Sequence, residues 1–444
     1  MEDLTLIPLV AIVALALLMR NLEGSWLAPG AFFGLYWSGF LSATYVLLPS
    51  FTLMSSGVGW IAGAYVALIV GVLLAQGRGA TGGVMIEGLP RQQDPGEARW
   101  LLWLVPVCAF VAIGATPVLT AAAGVPVSDL AVPDQFLQVA GYYTTNRYND
   151  PGFREPSLGI ALFSFAYLGA ILGGRLFALR RTFRARLAAL LPLAAAAFLS
   201  MLMTTRALVL LSLLLWITGY LVSQPIGASA GLRLLSMRKM ALAASVSGVA
   251  VALYVGGQVV RAGGSDNIAR DEMYTSVATS FLGSTSTFTT WFADTSGGQL
   301  AEYGWGRRTL SGPVNWLLPG FDRSSVSTFD PIIVGGGNSE FGEDTTVATL
   351  FREWIFDFTP VGSLILMFAL GVFGAWSYGA ARREGTRRCA GLASYYLIVL
   401  YSMMGFVYKF TTLAAVSLAF LLYCRFVGAR FSGPGSLQIA RRPE

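Results

Sequence analysis

The 444-residue chain has no histidine. That absence removes Ser-His-Asp and Cys-His catalysis, histidine-ligated metals and a histidine general base. Lysine occurs only at Lys239 and Lys409, so arginine carries almost all the positive charge. Arginine stays charged wherever it sits and forks onto phosphate or carboxylate, so its placement near a membrane carries chemical information. Cysteine occurs three times, as Cys108, Cys389 and Cys424, at spacings that match no zinc motif and predict no disulfide. Charge of either sign is scarce. Only 12% of residues are charged against 55% hydrophobic, far outside the balance of a soluble globular protein.

What remains is a series of apolar runs, which predicts an all-α polytopic membrane protein. At roughly 20 residues for a bilayer core of about 30 Å, eleven spans fit. They are Leu4–Met19, Leu27–Leu48, Ser56–Ala75, Trp100–Ala122, Ser157–Ala178, Leu187–Thr204, Ala207–Val222, Met240–Gly257, Thr359–Ala380, Ala390–Tyr408 and Thr411–Val427. Met1-Glu2-Asp3 lacks the positive start of a signal peptide, so the first run is expected to stay as a span. The net charge of +6 resides mainly in short loops, which points to membrane topology and not to nucleic acid. With eleven spans, Arg20, Arg78, Arg91, Arg99, the Arg180–Arg186 group, Arg233, Arg238, the Arg382–Arg388 group and the tail arginines all fall on one face. The positive-inside rule makes that face cytoplasmic, with the N-terminus outside and the C-terminus inside.

The organisation is then residues 1–257 with eight spans, an extracytoplasmic stretch 258–358, and residues 359–444 with three spans and a basic tail. A first outer loop at 123–156 contains Gly141–Glu155, with Tyr142, Tyr143, Tyr148, Arg147 and Arg154. Tyrosine faces stack on sugar rings and Arg or Asn bonds their hydroxyls; tyrosine also belongs to the ordinary interfacial belt. The apolar run Leu187–Val222, about 55 Å long as one helix, must fold into two spans at Thr204-Thr205-Arg206. Arg206 therefore sits near the outer interface, either directed at an anion or snorkelling to the headgroups. Lys409 has the same geometry and reads as a snorkelling residue.

The long stretch holds six arginines and twelve acids. Phe281–Gly298 reads as an interfacial helix, and Val334–Asn338 as a glycine hinge without the features of a nucleotide phosphate loop. Glu343–Phe358 reads as a helix entering the next span, starting near Thr345 or Thr346. In it Thr349, Glu353 and Asp357 share one face, with Arg352 beside them. A solvent-facing polar stripe is one reading; a base with an anion clamp is the other.

The TTRA turn, Tyr303–Phe321 (YGWGRRTLSGPVNWLLPGF) and DTTVATLFREWIFDFTPVG running into a span resemble the bacterial O-antigen (oligosaccharide repeat-unit) polymerases, the Wzy-like enzymes. The likeness covers roughly the second half of the chain, and the first half in hydropathy only. The family often has acid-Phe-Gly where this chain has Asp357-Phe358-Thr359. The resemblance implies a metal-independent glycosyltransferase without cofactor, with a GT-C-like bundle, in the bacterial inner membrane. Its donor and acceptor would be undecaprenyl-pyrophosphate-linked glycans within the lipid, and a chain-length regulator is a candidate partner. Catalysis would fall to Glu353, Asp357 and Arg352, and the pyrophosphate clamp to Arg206, Arg261, Arg147 and Arg270. Sugar contacts would come from Tyr142, Tyr143, Tyr148 and Arg154. The related O-antigen ligases carry a histidine motif in the large loop and are disfavoured. A transporter or flippase of lipid-linked sugars is the alternative from another class; no clear internal repeat supports it. Reporters fused to the two termini are expected on opposite membrane faces; finding both on one face would remove the odd span count.

Overall fold

Most helices are apolar around their whole circumference, as a lipid solvent on one side and a packed interior on the other require. In the computed structural model, described residues are 3–48, 51, 53–77, 95–150, 153, 155–224, 270–300, 302–317, 332–334, 343–345 and 349–431. They form α1 (Asp3–Glu23), α2 (Pro29–Leu47), α3 (Ser55–Ala75), α4 (Pro95–Ile113), α5 (Thr116–Ala122), α6 (Pro133–Asn149), α7 (Ser157–Leu179), α8 (Phe183–Met203) and α9 (Arg206–Val222). After these come α10 (Arg270–Asp294), α11 (Ser311–Leu317), β1 (Ile332–Val334), β2 (Glu343–Thr345), α12 (Leu350–Glu384), α13 (Cys389–Tyr401) and α14 (Thr411–Phe431).

The chain is a multi-pass, predominantly helical protein with membrane character. Six helices among the described residues are long and apolar enough to cross a bilayer, and two shorter apolar helices, Ala207–Val222 and Thr411–Val427, accompany them. The expected span Met240–Gly257 and the expected glycine hinge, residues 335–338, lie outside the described residues. The long apolar run divides where the sequence predicts: Thr204 takes a left-handed backbone (φ 52°) that ends α8, and α9 starts at Arg206.

The helical class stands, and beside the helices Ile332–Val334 pairs antiparallel with Glu343–Thr345 in one short ladder. Branched residues at 332–334 and Thr345 suit a strand better than a helix. The helix expected from Glu343 consequently begins at Leu350, where the Thr349 side chain accepts the Arg352 N–H as its cap. The segment Phe281–Gly298, expected as an interfacial helix, packs its hydroxyl side chains against the bundle. As part of α10 it presses Ser284, Thr285, Ser286, Thr287 and Thr289 into the interior. Thr285 Oγ1 lies 2.8 Å from Thr44 Oγ1, and Thr289 Oγ1 accepts the Met54 N–H. Gly57 permits this approach, since a Cβ there would lie 2.7 Å from Thr289 Cβ.

The bundle closes through small residues, as helices in lipid do. A Cβ on Gly71 of α3 would strike the Phe368 carbonyl of α12, and one on Gly371 would strike the Leu68 carbonyl. At the end rich in arginine (Arg20, Arg382, Arg383 and Arg430 in last helical turns), a buried polar knot joins the helices. Arg175 of α7, 1% exposed, donates through Nε to Glu97 of α4 at 2.5 Å, and through Nη2 to Thr386 at 2.7 Å. Its Nη1 reaches Ser223 at 3.2 Å, while Tyr423 of α14 donates to Glu97 at 3.1 Å. Cys389 and Cys424 lie beside it, in hydrogen-bond contact and not in a disulfide, with sulfurs 3.2 Å apart. Glu97→Ala is expected to destabilise the protein by about 3–5 kcal/mol by leaving a buried guanidinium uncompensated. Thermal unfolding in detergent would measure this, and the double variant Glu97→Gln/Arg175→Met should lose much less.

Candidate functional site

The first two turns of α12 form a short helix of their own. Phe358 and Thr359 leave helical geometry, and Thr359 adopts φ 68°, ψ 165° just before Pro360. On this short helix the spacing of Thr349, Glu353 and Asp357 does put them on one side, and that side faces inward. All three are at most 2% exposed, so the solvent-facing stripe is excluded. Buried carboxylates demand partners, and each finds them on a different stretch of chain.

Glu353 turns to the segment between α13 and α14. Lys409 Nζ donates to its Oε1 at 2.5 Å, and the Phe406 backbone N–H donates to its Oε2. Gly405, at φ 119°, lets the backbone wrap the carboxylate, since a Cβ there would lie 2.8 Å from the Glu353 Cδ. The Glu353 side chain is 3% exposed and that of Lys409 is 26% exposed, so the ammonium stands between the carboxylate and the surface. The sequence reading of Lys409 as a snorkelling residue is corrected accordingly: a buried acid competes for it.

Asp357 turns to the loop before α11. Its carboxylate accepts the Arg308 N–H at 3.1 Å, the Thr309 N–H at 2.8 Å and the Thr309 hydroxyl at 2.8 Å. Backbone bonds from Gly304 to Phe356 and from Trp305 to Asp357, both 2.9 Å, complete the seam. The Arg308 guanidinium lies over the Phe356 ring at 4.0 Å. The two stretches also meet each other, because Ser311 Oγ donates to the Lys409 carbonyl and Thr411 Oγ1 to the Gly312 carbonyl. A cavity of about 630 Å³ opens beside this seam, lined by Glu302, Tyr303, Trp305, Arg307, Leu310 and Val314.

Arg352 is 3% exposed, with its guanidinium 5.3 Å from the centre of the Trp291 ring. Below it, Phe351, Trp60, Phe288, Phe33 and Trp37 pack ring against ring. This aromatic floor separates the polar groups from the interior.

The other sequence candidates lie elsewhere. Tyr143 is buried and donates to the Leu119 carbonyl, and Tyr142 packs edge-on against Tyr143 and Phe153. Both rings therefore hold the α6 corner together. Thr144 Oγ1 lies 2.8 Å from Thr204 Oγ1, which brings α6 beside the α8–α9 turn and places the backbones of Arg147 and Arg206 at one corner. The side chains of Arg147, Tyr148, Arg206 and Arg270 are not among those described, and Arg154 and Arg261 lie outside the described residues. Among the described residues no three His, Cys, Asp or Glu side chains converge as metal donors.

Sequence reasoning passed over Lys409 as a partner, and the WGRR loop as a seam. The signal for the second was Gly304-Trp305-Gly306 before paired arginines, a tight turn carrying charge. Asp357→Ala should free that loop, because hydrogen bonds to a charged group contribute about 1.5–3 kcal/mol each. Tryptic cleavage after Arg307 and Arg308 is expected to accelerate at least tenfold, and an unchanged rate would show that the loop is held by other means. Comparison of the chain with known protein families, curated proteins and solved structures finds no match.

Proposed function

We propose that the chain is a membrane glycosyltransferase that joins undecaprenyl-pyrophosphate-linked oligosaccharide repeat units on the outer face of the bacterial cytoplasmic membrane. The observation that carries this reading is the convergence of the buried Glu353 with its half-buried partner Lys409, the buried Arg352 and the Asp357-anchored Arg307–Arg308 loop at one end of the bundle. The arginine-rich helix ends at the opposite pole support placing this end outside. Eleven spans and an extracytoplasmic stretch 258–358 belong to the same proposal.

In the proposed reaction the acceptor's sugar hydroxyl attacks the anomeric carbon of the donor glycan. The new C–O bond forms as the bond to the diphosphate breaks. The hydroxyl proton passes to Glu353, and undecaprenyl pyrophosphate departs with the electron pair. Fixed cations stabilise the charge that gathers on the leaving diphosphate. Lys409 suits this part because its charge sits at the rim and can turn from Glu353 to an arriving anion. That movement would uncover the carboxylate at the moment a base is needed. Arg206 and Arg147 would hold the lipid diphosphate from the α6 corner. Asp357 belongs to the support of the loop, since its carboxylate already accepts three donors.

The family's acid-Phe-Gly pattern finds support in the backbone at Thr359. Its φ 68°, ψ 165° lies in a region almost reserved for glycine. A threonine there holds the shape a glycine would take without strain, and its hydroxyl accepts the Gly362 N–H. The transporter reading gains little, because the buried Arg175–Glu97 pair lies close to helix ends and not at the midplane where such proteins hold their cargo.

Purified protein given lipid-linked repeat units should make a ladder of longer glycans, unaffected by chelators. Glu353→Gln should slow it by about 10²–10⁴-fold, the usual range for a lost general base. Arg206→Ala should nearly abolish chain growth with expression unchanged. Movement of the lipid-linked unit across vesicles without a ladder would favour the flippase.

A further inference from the structure

The Arg307–Arg308 loop also borders the cavity beside the Asp357 seam, and one wall of that cavity is Trp305. This side chain is 76% exposed. Its backbone is left-handed at φ 49°, a conformation that costs a non-glycine residue roughly 1–2 kcal/mol. Gly306 follows at φ 88°, so the turn is tight, and the Trp305 N–H is fixed to the Asp357 carbonyl. A large aromatic ring is thus displayed to the surroundings on a loop pinned by a buried carboxylate. Strain maintained by such a well-made anchor is the mark of a functional site.

The geometry points to a saccharide-binding subsite here, in which a sugar ring lies on Trp305 and its hydroxyls bond Glu302 and Arg307. The composition of the wall selects this ligand class. The negative face of an indole attracts the slightly positive C–H face of a sugar. Glu302 and Arg307, both exposed, offer an acceptor and a forked donor to the ring's edge. An acyl chain would have to desolvate both charges without replacing their hydrogen bonds. An anion would meet Glu302. A neutral polyol satisfies all three residues, and about 630 Å³ accommodates a short oligosaccharide. Because the loop is already ordered, binding would not have to order it. This subsite deepens the reading of the chain as a glycan polymerase, and rests on it for which glycan arrives.

The test uses the full chain in nanodiscs and the glycan released by mild acid from the envelope of the cells that make it. Saturation transfer from protein to free glycan should be seen by NMR. Trp305→Ala should weaken binding at least tenfold, and Trp305→Tyr should keep most of it. Equal binding by Trp305→Ala, or no transfer from the unaltered protein, would overturn the subsite and identify Trp305 as an interfacial anchor only. The ladder assay separates the two proposals. A ladder without glycan dependence on Trp305 removes the subsite and leaves the polymerase. Trp305-dependent binding without a ladder leaves the subsite and removes the polymerase.

Discussion

Two carboxylates one helical turn apart, both out of reach of water, govern the polar end of this protein. Neither can be buried alone, so each draws a distant piece of chain onto the short helix that precedes Thr359. Glu353 gathers the Gly405–Lys409 turn and Asp357 gathers the Gly304–Thr309 loop. The two pieces then bond each other through Ser311 and Thr411. The arrangement of cations at this end is a consequence of where those two acids must find donors.

The lipid solvent explains why such chemistry is confined to the ends. Within the bundle, helices satisfy their own backbones and approach through glycines such as Gly71 and Gly371, leaving little space for charge. Where a charge does enter, at Arg175, it is surrounded by Glu97, Thr386 and Ser223 until its donors are used. The aromatic floor beneath Arg352 does the corresponding work at the other end, holding the polar groups above a layer of rings.

Hydropathy alone carried the membrane class, and the length of the run Leu187–Val222 carried the break at Thr204. The cluster Arg352, Glu353 and Asp357 was readable too, because helical spacing is a local property. Its partners were not. Lys409 lies 56 residues from Glu353 and Thr309 lies 48 residues from Asp357, and no local pattern announces such a pairing. The helix start moved from Glu343 to Leu350 because strand pairing with Ile332–Val334, a non-local contact, prevailed over helical spacing. Tyr142 and Tyr143 read as ligand contacts, yet the same aromatic character serves packing, as the bond from Tyr143 to the Leu119 carbonyl and the edge-on Tyr142 ring illustrate.

The knot around Arg175 has a mechanical consequence. It binds α4, α7, the end of α9, the Thr386 turn and α14 at one pole around the buried Arg175 and Glu97. The other pole is tied partly by an ammonium that water and ions can reach. Stems bound firmly at the base can splay only at the top, so any widening of the bundle is directed to the pole that holds Glu353.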